Sequence, residues 1–137
     1  MYIDTNAGKI YVNKTGQGSP LLLLHGNGED HTIFQTILPY FEQRFTVYRM
    51  DTRAHGLSEF SLETLTFERI TQDILELLKA EKIQRIPVLG YSDGGNIALY
   101  LAAHYPAVVE SVITMGANVE EDGLLEKYSQ TKESYRL

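Results

Sequence analysis

Between Ile86 and His104 the chain passes without a spacer from an apolar run, through a glycine-framed turn, into a helix-like stretch. Ile86-Pro87-Val88-Leu89 reads as a strand, with Pro87 near its start, where a missing backbone donor is tolerated. Asn96 to His104 is apolar nearly all round, so as a helix it must be buried. The turn itself is Gly90-Tyr91-Ser92-Asp93-Gly94. Its glycines allow a strained backbone that lifts the Ser92 Oγ clear of the sheet.

The rest of the chain supplies the sheet. Tyr2 to Asp4 and Lys9 to Lys14 read as short strands joined by the turn Asn6-Ala7-Gly8, and Gly16 to Pro20 reads as a loop. Leu21 to Leu24 is a continuous apolar run, as expected of a strand buried on both faces. His31 to Phe41 carries Ile33, Phe34, Ile37, Leu38 and Phe41 on one stripe and predicts a helix, with Pro39 near its end. Phe45 to Met50 is the next strand. Thr66 to Glu81 repeats Phe67, Ile70, Ile74, Leu77 and Leu78 at helical spacing, with Thr66 placed to cap it. Val109 to Met115 is the last strand.

Strand and helix alternate from Leu21 onward, which specifies an α/β fold with a mostly parallel sheet, right-handed crossovers and helices on both faces. Ligands of such sheets bind at the carboxyl ends of the strands. Three loops leave those ends: His25 to Asp30, Asp51 to Ser58 and Tyr91 to Gly95. Function is expected there.

Composition narrows the partners. A net charge of −6 and a pI near 5.1 argue against nucleic acid. No run approaches the roughly 20 apolar residues of a membrane span. The first residues lack the basic and apolar regions of a signal peptide. With no cysteine there is neither a disulfide nor a Cys-ligated metal, which suits a cytoplasmic protein. No cofactor or metal site is expected.

Strand, G-x-S-x-G, helix is the arrangement of a nucleophile elbow, which makes Ser92 the candidate nucleophile. The pattern alone recurs by chance in roughly one chain in twenty of this length, so its flanks carry the weight. After the first buried strand comes His25-Gly26-Asn27-Gly28, a loop able to turn backbone N–H groups into the site. An oxyanion hole needs two such donors aimed at the tetrahedral intermediate. The N–H groups of Asn27 and Asp93 are the natural pair.

The HG loop, the segment Asp51-Thr52-Arg53-Ala54-His55-Gly56-Leu57-Ser58 and the elbow, in this order and spacing, resemble the α/β-hydrolase superfamily from about Tyr2 to Val119. Leu89 to Gly95, then Ala102-Ala103-His104-Tyr105-Pro106 and Met115 to Asn118, are similar to the valacyclovir hydrolase (biphenyl hydrolase-like) group of serine esterases. The resemblance implies that Asp51, Arg53 and His55 shape a loop rather than react. It also implies the chain order serine, acid, histidine.

Only His104 follows Ser92, 12 positions on. At about 1.5 Å per helical residue it lies roughly 18 Å away, whereas a base must reach to about 3 Å. Glu120, Glu121 and Asp122 follow the last strand, but an acid with no histidine to orient has no triad role. The expectation is therefore residues 1–119 as the N-terminal half of the core, with the C-terminal strands missing. Residues 120–137 would begin a cap or form a tail.

Complete, such a protein would hydrolyse a small ester or related acyl compound through Ser92. This chain alone would be a truncated, inactive half. The alternatives are a non-catalytic remnant or interaction module, and an acyltransferase or perhydrolase using the same elbow. Asp93 is also a candidate substrate-binding residue, since its carboxylate could favour a cationic amine near the scissile carbonyl. Its rival role is that of an N-terminal helix residue facing the macrodipole. Strand 109–115, with Val112, Ile113 and Met115 along an open edge, is expected to join a second copy in a homo-oligomer. His31 is expected to cap a helix or sit at the surface.

Overall fold

The computed structural model describes residues 1–60 and 65–116. Strands β1 (Tyr2–Thr5), β2 (Gly8–Gly16), β3 (Ser19–Leu24), β4 (Phe45–Met50), β5 (Ile86–Tyr91) and β6 (Val109–Met115) form one sheet in the order β1-β2-β4-β3-β5-β6. The β1–β2 hairpin is antiparallel, and β2 meets β4 antiparallel. From β4 through β3 and β5 to β6 every pairing is parallel. The second strand is longer than Lys9 to Lys14, because its ladder with β4 runs on to Gly16↔Thr46. Most of the expected loop Gly16 to Pro20 is thereby taken into strands.

The helices are α1 (Leu38–Glu42), α2 (Phe67–Ala80) and α3 (Asp93–His104). Side chains of β3 alternate across the sheet, as the two-residue period of a strand demands. Leu22 and Leu24, with Met50 and Val88, join Ile70, Ile74 and Leu77 of α2 and Ile97 and Leu101 of α3 in one core layer. Leu21 and Leu23, with Val47 and Leu89, meet Phe34 and Leu38 on the other face. Each fully buried aliphatic side chain contributes about 1.5–3 kcal/mol, so the four leucines of β3 anchor both layers at once.

Helix α2 begins where its sequence says. Thr66 is extended, and its side chain accepts the Arg69 N–H at 3.0 Å. The stretch His31 to Phe41 is not one helix. A 3₁₀ turn, His31–Phe34, is capped by Asp30, and α1 starts separately with Pro39 in its first turn. Proline has no N–H to give to an earlier carbonyl and fits only a helix beginning. It therefore starts the second element instead of ending the first.

At the β5–β6 ladder the register skips between Ile86↔Val109 and Pro87↔Ser111, leaving Glu110 as an extra residue. This bulge turns both Val109 and Val112 toward α3, where they are buried. The apolar edge expected along β6 is thus smaller than its sequence suggests. Ile113 and Met115 are exposed, but Val112 is not. Among the described residues β6 is the last strand of the sheet. The expected cap or tail 120–137, including Glu120, Glu121 and Asp122, lies outside the described residues.

Candidate active site

Strands β4, β3 and β5 are adjacent and parallel, so the loops that follow them emerge side by side. The turn after β5 places Ser92 at φ 53 and ψ −119, a sparsely populated backbone region for a residue with a Cβ. Its N–H donates to Met115 O at 2.7 Å, and its carbonyl accepts the Gly95 N–H at 2.9 Å. The elbow is thereby tied to the end of β6 on one side and to the start of α3 on the other. A Cβ on Gly90 would overlap the Gly94 carbonyl, and one on Gly94 would overlap the Leu24 carbonyl. The flanking glycines are needed for close approach of backbones. The Ser92 Oγ accepts and donates no hydrogen bond among the described residues.

The loop after β3 packs on the elbow. A Cβ built on Gly26 would stand 3.2 Å from the Ser92 Cβ. The Gly26 N–H donates to Glu29 Oε1 at 2.9 Å, and the Gly28 N–H donates to His55 Nε2 at 3.0 Å. Between them the Asn27 N–H engages no partner among the described residues, and neither does the Asp93 N–H at the first turn of α3. The Asp93 carboxylate accepts a hydrogen bond from Asn96 Nδ2 at 3.3 Å, so its side chain leans along the helix start. A cavity of about 320 Å³ opens beside the elbow, lined by Glu29, Ile33, Phe34, Ile37, Tyr91 and Met115.

The loop Asp51 to Ser58 is saturated with internal bonds. Asp51, fully buried, accepts the His31 N–H at 2.7 Å, His31 Nδ1 at 2.8 Å and the Leu57 N–H at 2.9 Å. Arg53, also buried, donates Nε and Nη2 to the two oxygens of Asp73 at 3.1 and 2.7 Å. It further reaches the Ala7 carbonyl and Thr5 Oγ1, tying α2 to the β1–β2 turn. Each of its three guanidinium nitrogens is engaged. His31 packs on Tyr11 and serves Asp51; the helix cap there is Asp30.

His25 is buried, with Nδ1 2.7 Å from Gly26 O and Nε2 accepting the Thr52 N–H at 3.0 Å. Burial lowers its pKa below the ordinary histidine value, and the neighbouring His55 ring acts in the same direction. The hydrogen bonds agree, because the neutral ring with hydrogen on Nδ1 satisfies both contacts. His104 closes α3 at the far end, stacked on Tyr100 at 4.0 Å. Asp30, His31 and Asp51 bring three possible ligand atoms within 4.8 Å of one another. Their oxygens are already engaged, Asp51 by His31 and Asp30 by the N–H and hydroxyl of Thr32.

Of the residues singled out from sequence, Ser92, Asn27 and Asp93 lie on loops that leave the same end of the sheet. Glu29 and the reach of His55 into the neighbouring loop escape a sequence reading. The only signal for Glu29 is an acceptor three residues beyond Gly26, the spacing of a closed turn. For His55, 27 positions from Gly28, there is none.

A family profile described as alpha/beta hydrolase fold matches residues 19–137. The chain is 33% identical over 132 residues to a Homo sapiens protein named serine hydrolase BPHL, covering 90% of this chain and 45% of that one. Among solved structures it superposes on a hydrolase from Pseudomonas aeruginosa PA01 with a TM-score of 0.86 at 25% identity, covering 98% of this chain and 51% of the other. It also superposes on the enol-lactonase of Burkholderia xenovorans LB400, with a TM-score of 0.78 at 29% identity, covering 82% and 45%. The chain spans about half the length of these relatives. No helix among the described residues is long and apolar enough to cross a membrane.

Proposed function

This chain belongs to the α/β-hydrolase-fold family, and we propose that the complete fold is a serine hydrolase of small carboxylic esters or related acyl compounds. One observation carries the reading. Ser92 is held in a strained turn with its Oγ unengaged among the described residues, against a loop whose Asn27 N–H has no partner among them either. In this reading the Oγ attacks the acyl carbonyl while its proton passes to a base. The oxygen that gains charge is held by the N–H groups of Asn27 and Asp93. Collapse expels the alcohol with the returned proton and leaves an acyl-enzyme, which water then cleaves.

The base does not come from the described histidines. His25 and His55 accept hydrogen bonds through Nε2, His31 is bonded to Asp51, and His104 lies at the other end of α3. A base and its orienting acid are assigned to chain beyond this half, as the lengths of the relatives suggest. The domain reading is residues 1–119 as core and 120–137 as the start of a cap or a tail. The 137 residues alone are expected to show little turnover. A second copy pairing at 109–115 remains part of the proposal, through Ile113 and Met115. So does selection of amine-bearing acyl groups by Asp93. The ratio of kcat/KM for amino-acid esters over neutral isosteres should fall in Asp93→Asn, and an unchanged ratio removes that role.

Treating the complete protein with a fluorophosphonate probe tests the reading. Covalent labelling at Ser92, abolished by Ser92→Ala, is expected. A folded, complete protein that is not labelled there would refute it.

A further inference from the structure

The loop Gly26–Glu29 is closed from both ends. The Gly26 N–H donates to the Glu29 carboxylate at 2.9 Å, and the Glu29 N–H donates back to Gly26 O at 3.2 Å. Gly28, at φ +77, turns its own N–H out of the loop to His55 Nε2. His55 can accept there because its Nδ1 lies 3.0 Å from Arg53 O. A carbonyl only accepts, so the ring hydrogen sits on Nδ1 and Nε2 offers a lone pair. His55 is in turn fixed by the saturated loop after β4. Two side chains thus hold the N–H groups on either side of Asn27, and the planar peptides between them leave the Asn27 N–H little freedom.

We infer that Glu29 and His55 are positioning residues that fix the direction of the Asn27 N–H, an inference that rests on Asn27 being an oxyanion donor. Among the described residues neither side chain is hydrogen-bonded to Ser92. A Gly-Asn-Gly segment without such pins would sample many conformations, and a displacement of 1 Å at a reacting centre can cost about 100-fold in rate. The Glu29 role is that of an acceptor, not of a charge. Its Oε1 and the Ser92 Cβ both approach the same point over Gly26, so a negative charge there opposes the developing oxyanion. An amide oxygen would hold Gly26 equally well without that opposition.

The test uses the complete protein with p-nitrophenyl butyrate, together with hydrogen exchange of the Gly26, Asn27 and Gly28 amides followed by NMR. Glu29→Ala and His55→Phe should each lower kcat by about 10- to 100-fold, with KM changed less than about twofold, as expected when only transition-state stabilisation is lost. Glu29→Gln and His55→Gln keep an acceptor in place and should restore kcat to the wild-type level, Glu29→Gln at or above it. The double variant Glu29→Ala/His55→Phe should lose less than the product of the single losses, because both act on one donor. Full kcat in Glu29→Ala and His55→Phe, or a Glu29→Gln as impaired as Glu29→Ala, overturns the inference. Exchange separates this from failure of the serine reading. If Ser92→Ala leaves hydrolysis intact, Gly26 and Gly28 should still be protected while Asn27 is not, with protection lost at Gly26 in Glu29→Ala and at Gly28 in His55→Phe. Unprotected Gly26 and Gly28 amides in the wild type overturn the inference whatever the activity.

Discussion

In the loop Asp51 to Ser58 every strongly polar side chain is committed. Asp51 accepts three donors, Arg53 donates to Asp73, Thr5 and Ala7, and the Ser58 hydroxyl bridges the Asp51 carbonyl and the Tyr11 N–H. In the adjacent loop Gly26 to Glu29 the N–H groups of Gly26 and Gly28 are held, and the Asn27 N–H between them has no partner among the described residues. Buried polar groups that find all their partners rigidify a region, whereas a site must keep groups in reserve for its ligand. The two loops meet through His55, whose ring is anchored in the filled loop and accepts the Gly28 N–H of the other.

The largest effect should come from opening the saturated loop. Asp73→Ala leaves the buried Arg53 guanidinium without its counter-charge and is expected to cost about 3–5 kcal/mol. Urea denaturation of the purified chain measures this, and a loss below 1 kcal/mol would mean that water satisfies Arg53. Next, one substitution made in both loops should separate them. In Gly56→Ala the new Cβ overlaps the Asp51 carboxylate at a residue with φ +53, with an expected loss of about 3 kcal/mol. In Gly28→Ala no atom of the described residues lies within 4 Å of the new Cβ, and the positive φ opposes it, at about 1–2 kcal/mol. Equal losses would break the contrast between a filled loop and an open one.

A smaller, graded effect follows from His25. Its pKa is lowered in the folded chain, first by burial, so near the ordinary value of 6.5 the unfolded chain binds more protons than the folded one. Stability is full above that pH and declines as pH falls from there toward the folded pKa. Melting temperatures at pH 8 and pH 5 should show the decline, and a variant that abolishes it without His25 would confirm the source. The smallest effect expected is a gain. Ala54 sits at φ +68, which an L-residue adopts at a cost, and Ala54→Gly should stabilise by about 0.5–1 kcal/mol after glycine's greater chain entropy is counted. A loss there would show that the Ala54 methyl packs to some purpose.

Much of the architecture was legible in sequence because its signals are local. The apolar run Leu21 to Leu24, the stripe of α2 and its Thr66 cap, and the glycines about Ser92 each act within a few residues. The reading failed at His31 to Phe41, where an apolar stripe at helical spacing was read as one helix with Pro39 near its end, although Pro39 stands in the first turn of a second helix. It also failed along β6, where one extra residue at Glu110 changes which side chains face α3.

The sequence by itself determined the strand–turn–helix at Ser92 and the parallel α/β order, since periodicity and glycine placement are properties of the chain, while its three ordered motifs carried only a resemblance to the family. Only the tertiary structure decided which donors are occupied. Whether Gly28 is held and Asn27 is not depends on a histidine 27 positions from Gly28, brought alongside because β3 and β4 pair in parallel. Hydrogen bonds are made over about 3 Å of space, and no pattern along a chain reports that distance.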